Sequence, residues 1–173
     1  TMIALPGCCL ATGRYEDAKS IIRTFMAYEK DGLVPNLFPE GESKPMYNTV
    51  DAALLLIDTV WQYIDRTKDM GFLEEAWPVM ESIVASYRKG THHKIGMDTD
   101  GLIFAGGGLD QVTWMDVCVN GILPTPRHGK PVEINAYWYN ALCIMDYFAK
   151  ETGRDPKDYK ALAEQVKESF IEK

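Results

Sequence analysis

The chain has 173 residues, of which 46% are hydrophobic and 25% charged, a composition typical of an ordinary globular domain. Its formal net charge of -7 argues against a polyanionic partner such as nucleic acid or an anionic membrane surface. The four cysteines have neither metal-ligand spacing nor the density of a secreted disulfide framework, which favours reduced thiols and a cytoplasmic location.

Six segments have helical periodicity, and they alternate between two kinds. Apolar residues surround the first, third and fifth segments, which predicts buried inner helices. The second, fourth and sixth carry one apolar stripe against a charged face, which predicts outer helices. In chain order, the predicted helices are 2–11, 15–28, 49–64, 71–88, 134–149 and 156–171. Asp155 and Pro156 have the residue types of a cap and a first turn, so we expect the last helix to begin there.

Short turns join each inner helix to its outer partner, whereas the long loops 29–48 and 89–132 lead to the next inner helix. This asymmetry predicts an all-α fold of three helical hairpins with both long loops at one end. Periodicity leaves two architectures open, part of an (α/α)6 toroid or an α-solenoid. The long loops favour the toroid, because functional residues gather on long loops that a rigid scaffold holds.

Polar, charged and aromatic residues crowd the segment 112–140 without any amphipathic period. It contains two carboxylates, Asp116 and Glu133, together with basic side chains, amides and an aromatic run at 137–139. Carboxyl groups beside aromatic rings suit carbohydrate binding, because sugar C–H faces stack on rings while sugar hydroxyls need planar polar partners. A paired acid and base also suits cleavage of a glycosidic bond.

Several different sequence motifs are spread along nearly the whole chain. They are 1–7 (TMIALPG), 35–36 (PN), 38–41 (FPEG), 47–52 (YNTVDA), 113–116 (TWMD), 125–136 (TPRHGKPVEINA) and 138–142 (WYNAL). Together they resemble the glucosidase region of glycogen debranching enzymes, the amylo-alpha-1,6-glucosidases. The chain departs from that pattern at Cys8-Cys9 and at the glycine run 106–108. Neither departure falls on the motif residues.

The resemblance implies a fold and a function. The fold is an (α/α)6 toroid, of which residues 1–173 form a single segment with about three helix pairs. The function is hydrolysis of α-1,6-linked glucose at branch points of glycogen or another branched α-glucan. The mechanism is of the inverting acid/base kind, with no metal or other cofactor. The alternative from another class is a glycan-binding helical module without catalytic activity.

Asp116 follows Trp114 by two residues in the second long loop. By residue type alone, a loop aspartate is more often solvated or a cap. The neighbouring indole suits desolvation of the carboxyl, which raises its pKa toward that of a useful acid. The resemblance places the general acid at Asp116, whose proton would pass to the glycosidic oxygen.

Glu133 opens an inner helix, where the helix dipole favours a carboxylate whatever the function. It is the second candidate for catalysis, or a partner for a glucose hydroxyl. Other predicted substrate-binding residues are Tyr47, Asn48, Asp51, Trp114, Arg127, His128, Lys130, Asn135 and Trp138. For three of these residues, a purely structural role is the alternative to sugar binding. Asn48 suits a helix cap, His128 a structural hydrogen bond and Trp138 core packing.

The family resemblance also implies that the isolated 173 residues are incomplete. The family's catalytic base has no counterpart of matching position here, and a family Trp-Gly-Arg-Asp motif would precede residue 1. We therefore expect no glucose release by the isolated segment. A bare flank of the inner helices would favour self-association.

Overall fold

The structure, a computed structural model, describes residues 2–40 and 44–172. Within these ranges it is mostly helical, which confirms the predicted all-α class. The α-helices are α1 (Tyr15–Ala27), α2 (Asp51–Thr67), α3 (Met70–Lys89), α4 (Val132–Glu151) and α5 (Tyr159–Glu172). A π-helical segment, Pro6–Leu10, precedes them. Thr1 and Gly41, which belong to two of the sequence motifs, lie outside the described residues.

Helices α1 to α4 agree with the predicted segments to within three residues at each end. The last helix does not begin at Asp155 and Pro156, so that prediction is wrong. Asp155 instead accepts a hydrogen bond from the backbone N–H of Lys157 at 2.8 Å and closes a turn. Lys157 has a φ of 48°, a left-handed conformation that a helix excludes, and α5 therefore begins only at Tyr159.

The helices pack as three hairpins: Pro6–Leu10 with α1, α2 with α3, and α4 with α5. The α2 helix also contacts Pro6–Leu10 on one side and α4 on the other. The first elements of the three hairpins thus contact one another in chain order. The prediction of all-round burial is wrong for 2–11, because Ile3, Gly7 and Cys8 are exposed. Closure of the hairpins into a toroid stays a prediction.

Burial differs between the inner helices α2 and α4. No residue from 51 to 64 is exposed, so the all-round apolar pattern of α2 corresponds to burial on every side. The α4 helix has one uncovered line that includes Val132, Tyr139 and Tyr147, with Val132 68% exposed. Self-association through this apolar line stays a prediction.

The two long loops meet where α2 and α4 begin, as predicted. The backbone N–H of Val50 donates to the carbonyl of Val112 at 2.8 Å, and the Asn48 amide donates to the Gln111 carbonyl at 2.5 Å. The second loop also contains an antiparallel hairpin, β1 (Gly96–Met97) with β2 (Ile103–Phe104), which its periodicity did not predict. Among the described residues, no helix is both long and apolar enough to span a membrane.

A cluster around Asp69 ties the outer helices α1 and α3 together. Its carboxylate caps α3 by accepting the N–H of Phe72 at 3.0 Å, and it also binds the Lys19 ammonium at 2.6 Å. The Tyr63 hydroxyl donates to the same carboxylate at 3.2 Å. The hydrogen bond from Lys19 holds the pKa of Asp69 below its ordinary value. One side chain therefore serves three elements.

We predict that Asp69→Ala lowers the free energy of unfolding by about 1 to 2 kcal/mol at pH 7, because it removes a helix cap. The matched change Asp65→Ala, at an exposed pair with Lys68, stays within about 0.5 kcal/mol of wild type. Because the folded-state pKa of Asp69 is lowered, its contribution is present at neutral pH and is lost as the pH falls through that pKa. Urea denaturation at pH 7 and near pH 3 measures both effects, and equal costs for the two variants would contradict the prediction.

Candidate functional site

A cleft of about 310 Å³ opens where the long loops meet. Its volume lies at the lower end of the range for small-molecule sites, about 300 to 1,000 Å³. The walls come from the start of the chain, α1, the loop before α2, the first turns of α2 and the loop segment 111–116. Polar side chains on these walls belong to Asn36, Asn48, Thr49, Asp51, Gln111, Thr113 and Asp116.

Asp51 stands in the first turn of α2 and is only 5% exposed. Its Oδ2 accepts the backbone N–H of Trp114 at 3.1 Å. Burial raises the pKa of the Asp51 carboxyl, and hydrogen bonds from the Thr49 side chain and from the Trp114 N–H oppose that shift without cancelling it. The cleft therefore contains a carboxyl that keeps its proton to a higher pH than a solvated aspartate does.

Asp116 lies across the same cleft and is 7% exposed. Its Oδ2 accepts backbone N–H groups from Val112 at 2.9 Å and from Thr113 at 3.2 Å. These bonds close a tight turn over residues 112–116. The structure thus brings Asp51 and Asp116 into one cleft, and both carboxyls bind the backbone of the same loop segment.

The Trp114 indole is 63% exposed where it lines the cleft. An exposed ring suits stacking on a ligand, since its face is available to C–H groups. The sequence predicts two roles for this indole, as a sugar contact and as a cover that desolvates Asp116. So exposed an indole suits stacking on a ligand better than desolvation of Asp116.

One polar atom in the cleft wall, Asn48 Oδ1, is buried with no hydrogen-bond partner among the described residues. Buried polar atoms are nearly always bonded, so this exception indicates a position where a ligand or water completes the bonding. The sequence did not predict four of the polar wall residues, Asn36, Thr49, Gln111 and Thr113, although all but Gln111 lie in the motifs.

Arg127 and Glu133 form an ion pair at the start of α4, between Arg127 Nη2 and Glu133 Oε2. The pair is separate from the cleft, whose walls include neither residue. Arg127 Nε and Glu133 Oε1 are buried without a partner. Both residues therefore keep one free polar atom besides the bond that joins them.

Three other predicted sugar-binding residues use their polar groups on protein partners and do not line the cleft. The Tyr47 hydroxyl donates to the Tyr28 carbonyl at 2.8 Å. His128 Nε2 lies 2.8 Å from the Asp110 carbonyl. The Lys130 ammonium binds two carboxylates of the preceding loop, at 2.6 and 2.8 Å. In the structure, the polar groups of all three residues therefore bind other parts of the protein and stabilise its loops.

Asn135 and Trp138 are buried in the core, which corrects their prediction as sugar contacts. Asn135 accepts the N–H of Ile103 at 2.7 Å and donates to the carbonyl of the same residue at 3.1 Å. The Trp138 indole donates to the Gly101 carbonyl at 3.1 Å and stacks on Tyr87, with ring centroids 6.0 Å apart. An inner helix buried on this side leaves neither group accessible to a ligand.

We predict that Asp51→Asn becomes more stable relative to wild type as the pH rises from about 4 to 7. The folded-state pKa of Asp51 is raised, so wild type loses stability as the pH rises from the unfolded pKa, about 3.9, through the folded one. Asp69→Asn should show the opposite trend at lower pH, because the pKa of Asp69 is lowered and wild type loses that stability only as the pH falls from about 3.9 through the folded-state pKa. Urea denaturation from about pH 3 to pH 7 measures both, and a flat difference for Asp51→Asn would contradict the raised pKa.

Comparison with known proteins places the chain in a family. A family model described as amylo-alpha-1,6-glucosidase matches residues 1–173. The chain is also similar to the glycogen debranching enzyme of Saccharomyces cerevisiae, with 26% identity over an alignment 195 residues long, gaps included, which covers 81% of the chain. The chain spans 13% of the length of that relative. The family match over the whole chain confirms the resemblance seen in the motifs, and the chain belongs to the amylo-alpha-1,6-glucosidase family.

Proposed function

We propose that the chain contributes to a glucosidase site that hydrolyses α-1,6-linked glucose at branch points of glycogen or a related branched α-glucan. The observation that carries the proposal is the cleft in which two carboxyls, Asp51 and Asp116, lie beside the exposed indole of Trp114. Membership of the family supports a glycosidase role. The net charge of -7 is compatible with a neutral glucan.

Substrate recognition in this proposal uses the cleft walls. The Trp114 ring stacks on the C–H face of a glucose residue, because an exposed indole offers a broad apolar face. Asn48 supplies an oxygen, Oδ1, that lacks a protein partner and can accept a hydrogen bond from a sugar hydroxyl. A carboxylate such as Asp51 accepts hydroxyl hydrogen bonds that are stronger than those between neutral groups.

In the proposed mechanism, Asp116 donates its proton to the glycosidic oxygen as the bond from that oxygen to the anomeric carbon breaks. A second carboxylate takes a proton from water, which adds to the opposite face of the sugar and inverts the anomeric centre. Inverting glycosidases hold their two carboxyls about 6.5 to 9.5 Å apart to leave room for that water. Glu133 stays the second candidate for direct catalysis, with Oε1 unbonded and Oε2 held by Arg127, although it does not line the cleft.

A glycan-binding module without catalytic activity is the second candidate function. The observation that favours it is the bonding of Asp116, whose oxygens accept the N–H groups of Val112 and Thr113. Such bonds hold a loop in shape whether or not the carboxyl transfers a proton. Both candidate functions predict that the protein binds the glucan, but only the glucosidase function predicts that it hydrolyses the glucan.

We predict that Asp116→Asn, made in the natural polypeptide, lowers kcat on an α-1,6-branched dextrin by about 10² to 10⁴-fold. The dissociation constant for the dextrin should change little, since an amide oxygen still accepts the N–H groups of Val112 and Thr113 but the amide has no acidic proton. Glucose release and isothermal titration calorimetry measure the two quantities. A kcat within about tenfold of wild type would remove Asp116 from the acid role.

We also predict that Trp114→Ala weakens dextrin binding by about tenfold, the equivalent of about 1.4 kcal/mol of lost stacking. The matched variant Trp114→Phe retains an aromatic face and should bind within about threefold of wild type. Calorimetric titration of all three proteins measures the effect. Equal affinity of Trp114→Ala and wild type would exclude the indole as a sugar platform under either candidate function.

A further inference from the structure

A hydrogen-bonded network lies behind the cleft at Asp110, the residue before the wall segment 111–116. His93 Nδ1 lies 3.0 Å from the Asp110 carboxylate, and His128 Nε2 lies 2.8 Å from the Asp110 carbonyl. A carbonyl oxygen only accepts, so His128 donates from Nε2. An ionised carboxylate also only accepts, so His93 donates from Nδ1. Two imidazoles thus hold one residue by its side chain and by its backbone.

His93 is itself held in an uncommon backbone conformation. Its φ is 54° and that of Lys94 is 55°, both in the left-handed region that non-glycine residues seldom adopt. The His93 carbonyl accepts the N–H of Gly106 at 2.8 Å. Sparsely populated conformations persist where the surrounding structure holds them, and they cluster at functional sites. The backbone that carries the His93 imidazole is therefore held in one conformation.

Gly106 allows His128 to reach the Asp110 carbonyl. A Cβ atom added to Gly106 would lie 2.5 Å from Cδ2 of the His128 ring, closer than real contacts allow. The φ of Gly106 is also positive, at 78°. The first residue of the glycine run 106–108 thus has a steric reason: a side chain at Gly106 would displace the imidazole.

The residues that follow Asp110 carry the cleft wall. The Val112 carbonyl binds the N–H of Val50, and the Val112 N–H binds Asp116 at 2.9 Å. One residue, Gln111, therefore separates the anchored Asp110 from Val112, whose N–H group holds the Asp116 carboxylate. Neither His93 nor His128 lines the cleft, so any effect they have on catalysis passes through this loop.

We propose that His93 and His128 are positioning residues that, by holding Asp110, fix the loop carrying Asp116 in the geometry for proton transfer. This inference rests on the proposed glucosidase function. It assigns no contact with substrate to either histidine. A displacement of about 1 Å in a catalytic group costs up to about 10²-fold in rate, so the network is expected to act on kcat.

The test uses matched pairs of variants in the natural polypeptide. His128→Gln retains a donor near the position of Nε2, whereas His128→Met has similar length and no donor. Asp110→Asn retains an acceptor for His93, whereas Asp110→Ala does not. His93 is left unchanged, because its left-handed backbone would add strain to most substitutions. His92→Ala, at an exposed pair with Asp31, is the control.

We predict that His128→Met and Asp110→Ala lower kcat by about tenfold or more with KM within about threefold, because the acid is displaced while the other cleft walls remain. His128→Gln and Asp110→Asn should restore most of the loss, and His92→Ala should match wild type. Equal kcat within either matched pair would overturn the inference, because a merely space-filling role predicts no rescue by the hydrogen-bonding variant.

Amide hydrogen exchange separates this inference from the proposed function. In His128→Met, the amides of Val112 and Thr113 should exchange faster, while those in the middle of α2 keep their protection. Unchanged exchange at Val112 and Thr113 would overturn the inference, and general loss of protection would do the same by showing only a folding defect. If Asp116→Asn retains turnover, the proposed function fails. Faster exchange at Val112 and Thr113 in His128→Met would still show that His128 anchors the loop.

Discussion

The candidate site depends on the two backbone hydrogen bonds of Val50, the buried residue before α2. Its N–H donates to the Val112 carbonyl, and its carbonyl accepts the Tyr87 hydroxyl at 2.8 Å. An unsatisfied buried backbone N–H costs about 1 to 3 kcal/mol, so the Val112 carbonyl stabilises the start of α2 by accepting the N–H of Val50. These bonds join the start of α2, the end of α3 and the cleft loop. They set the position of Asp51 relative to Asp116.

Tyr87 connects this junction to the core. Burial raises the pKa of its hydroxyl well above the ordinary value for tyrosine, which keeps the proton available for the Val50 carbonyl. Trp138 stacks on the Tyr87 ring and fixes the side chain from the side of α4. Trp138, which the sequence predicts as a sugar contact, thus supports the cleft indirectly, through Tyr87 and Val50. Its contribution is to geometry, whereas Trp114 is the ring open to a ligand.

The sequence predicted the elements whose signal is local. Periodicity placed α1 to α4, because burial of an apolar face repeats along each helix. It misplaced the start of α5, because the left-handed backbone of Lys157 leaves no trace in hydrophobicity. The motifs located Asp51, Trp114 and Asp116 in the cleft wall. They did not indicate that Lys130 and Asn135 bind protein partners, because those pairings join distant parts of the chain.

The two cleft carboxyls are mechanically linked through one short segment of backbone. Asp51 binds the N–H of Trp114, while Asp116 binds the N–H groups of Val112 and Thr113. Loss of either carboxylate releases an N–H group of the turn to which the other is bonded. Residues that share a hydrogen-bonded unit have non-additive effects, so the cost of changing both carboxyls will differ from the sum of the single costs. Assigning proton transfer to one carboxyl therefore requires the double variant as well as the two single ones.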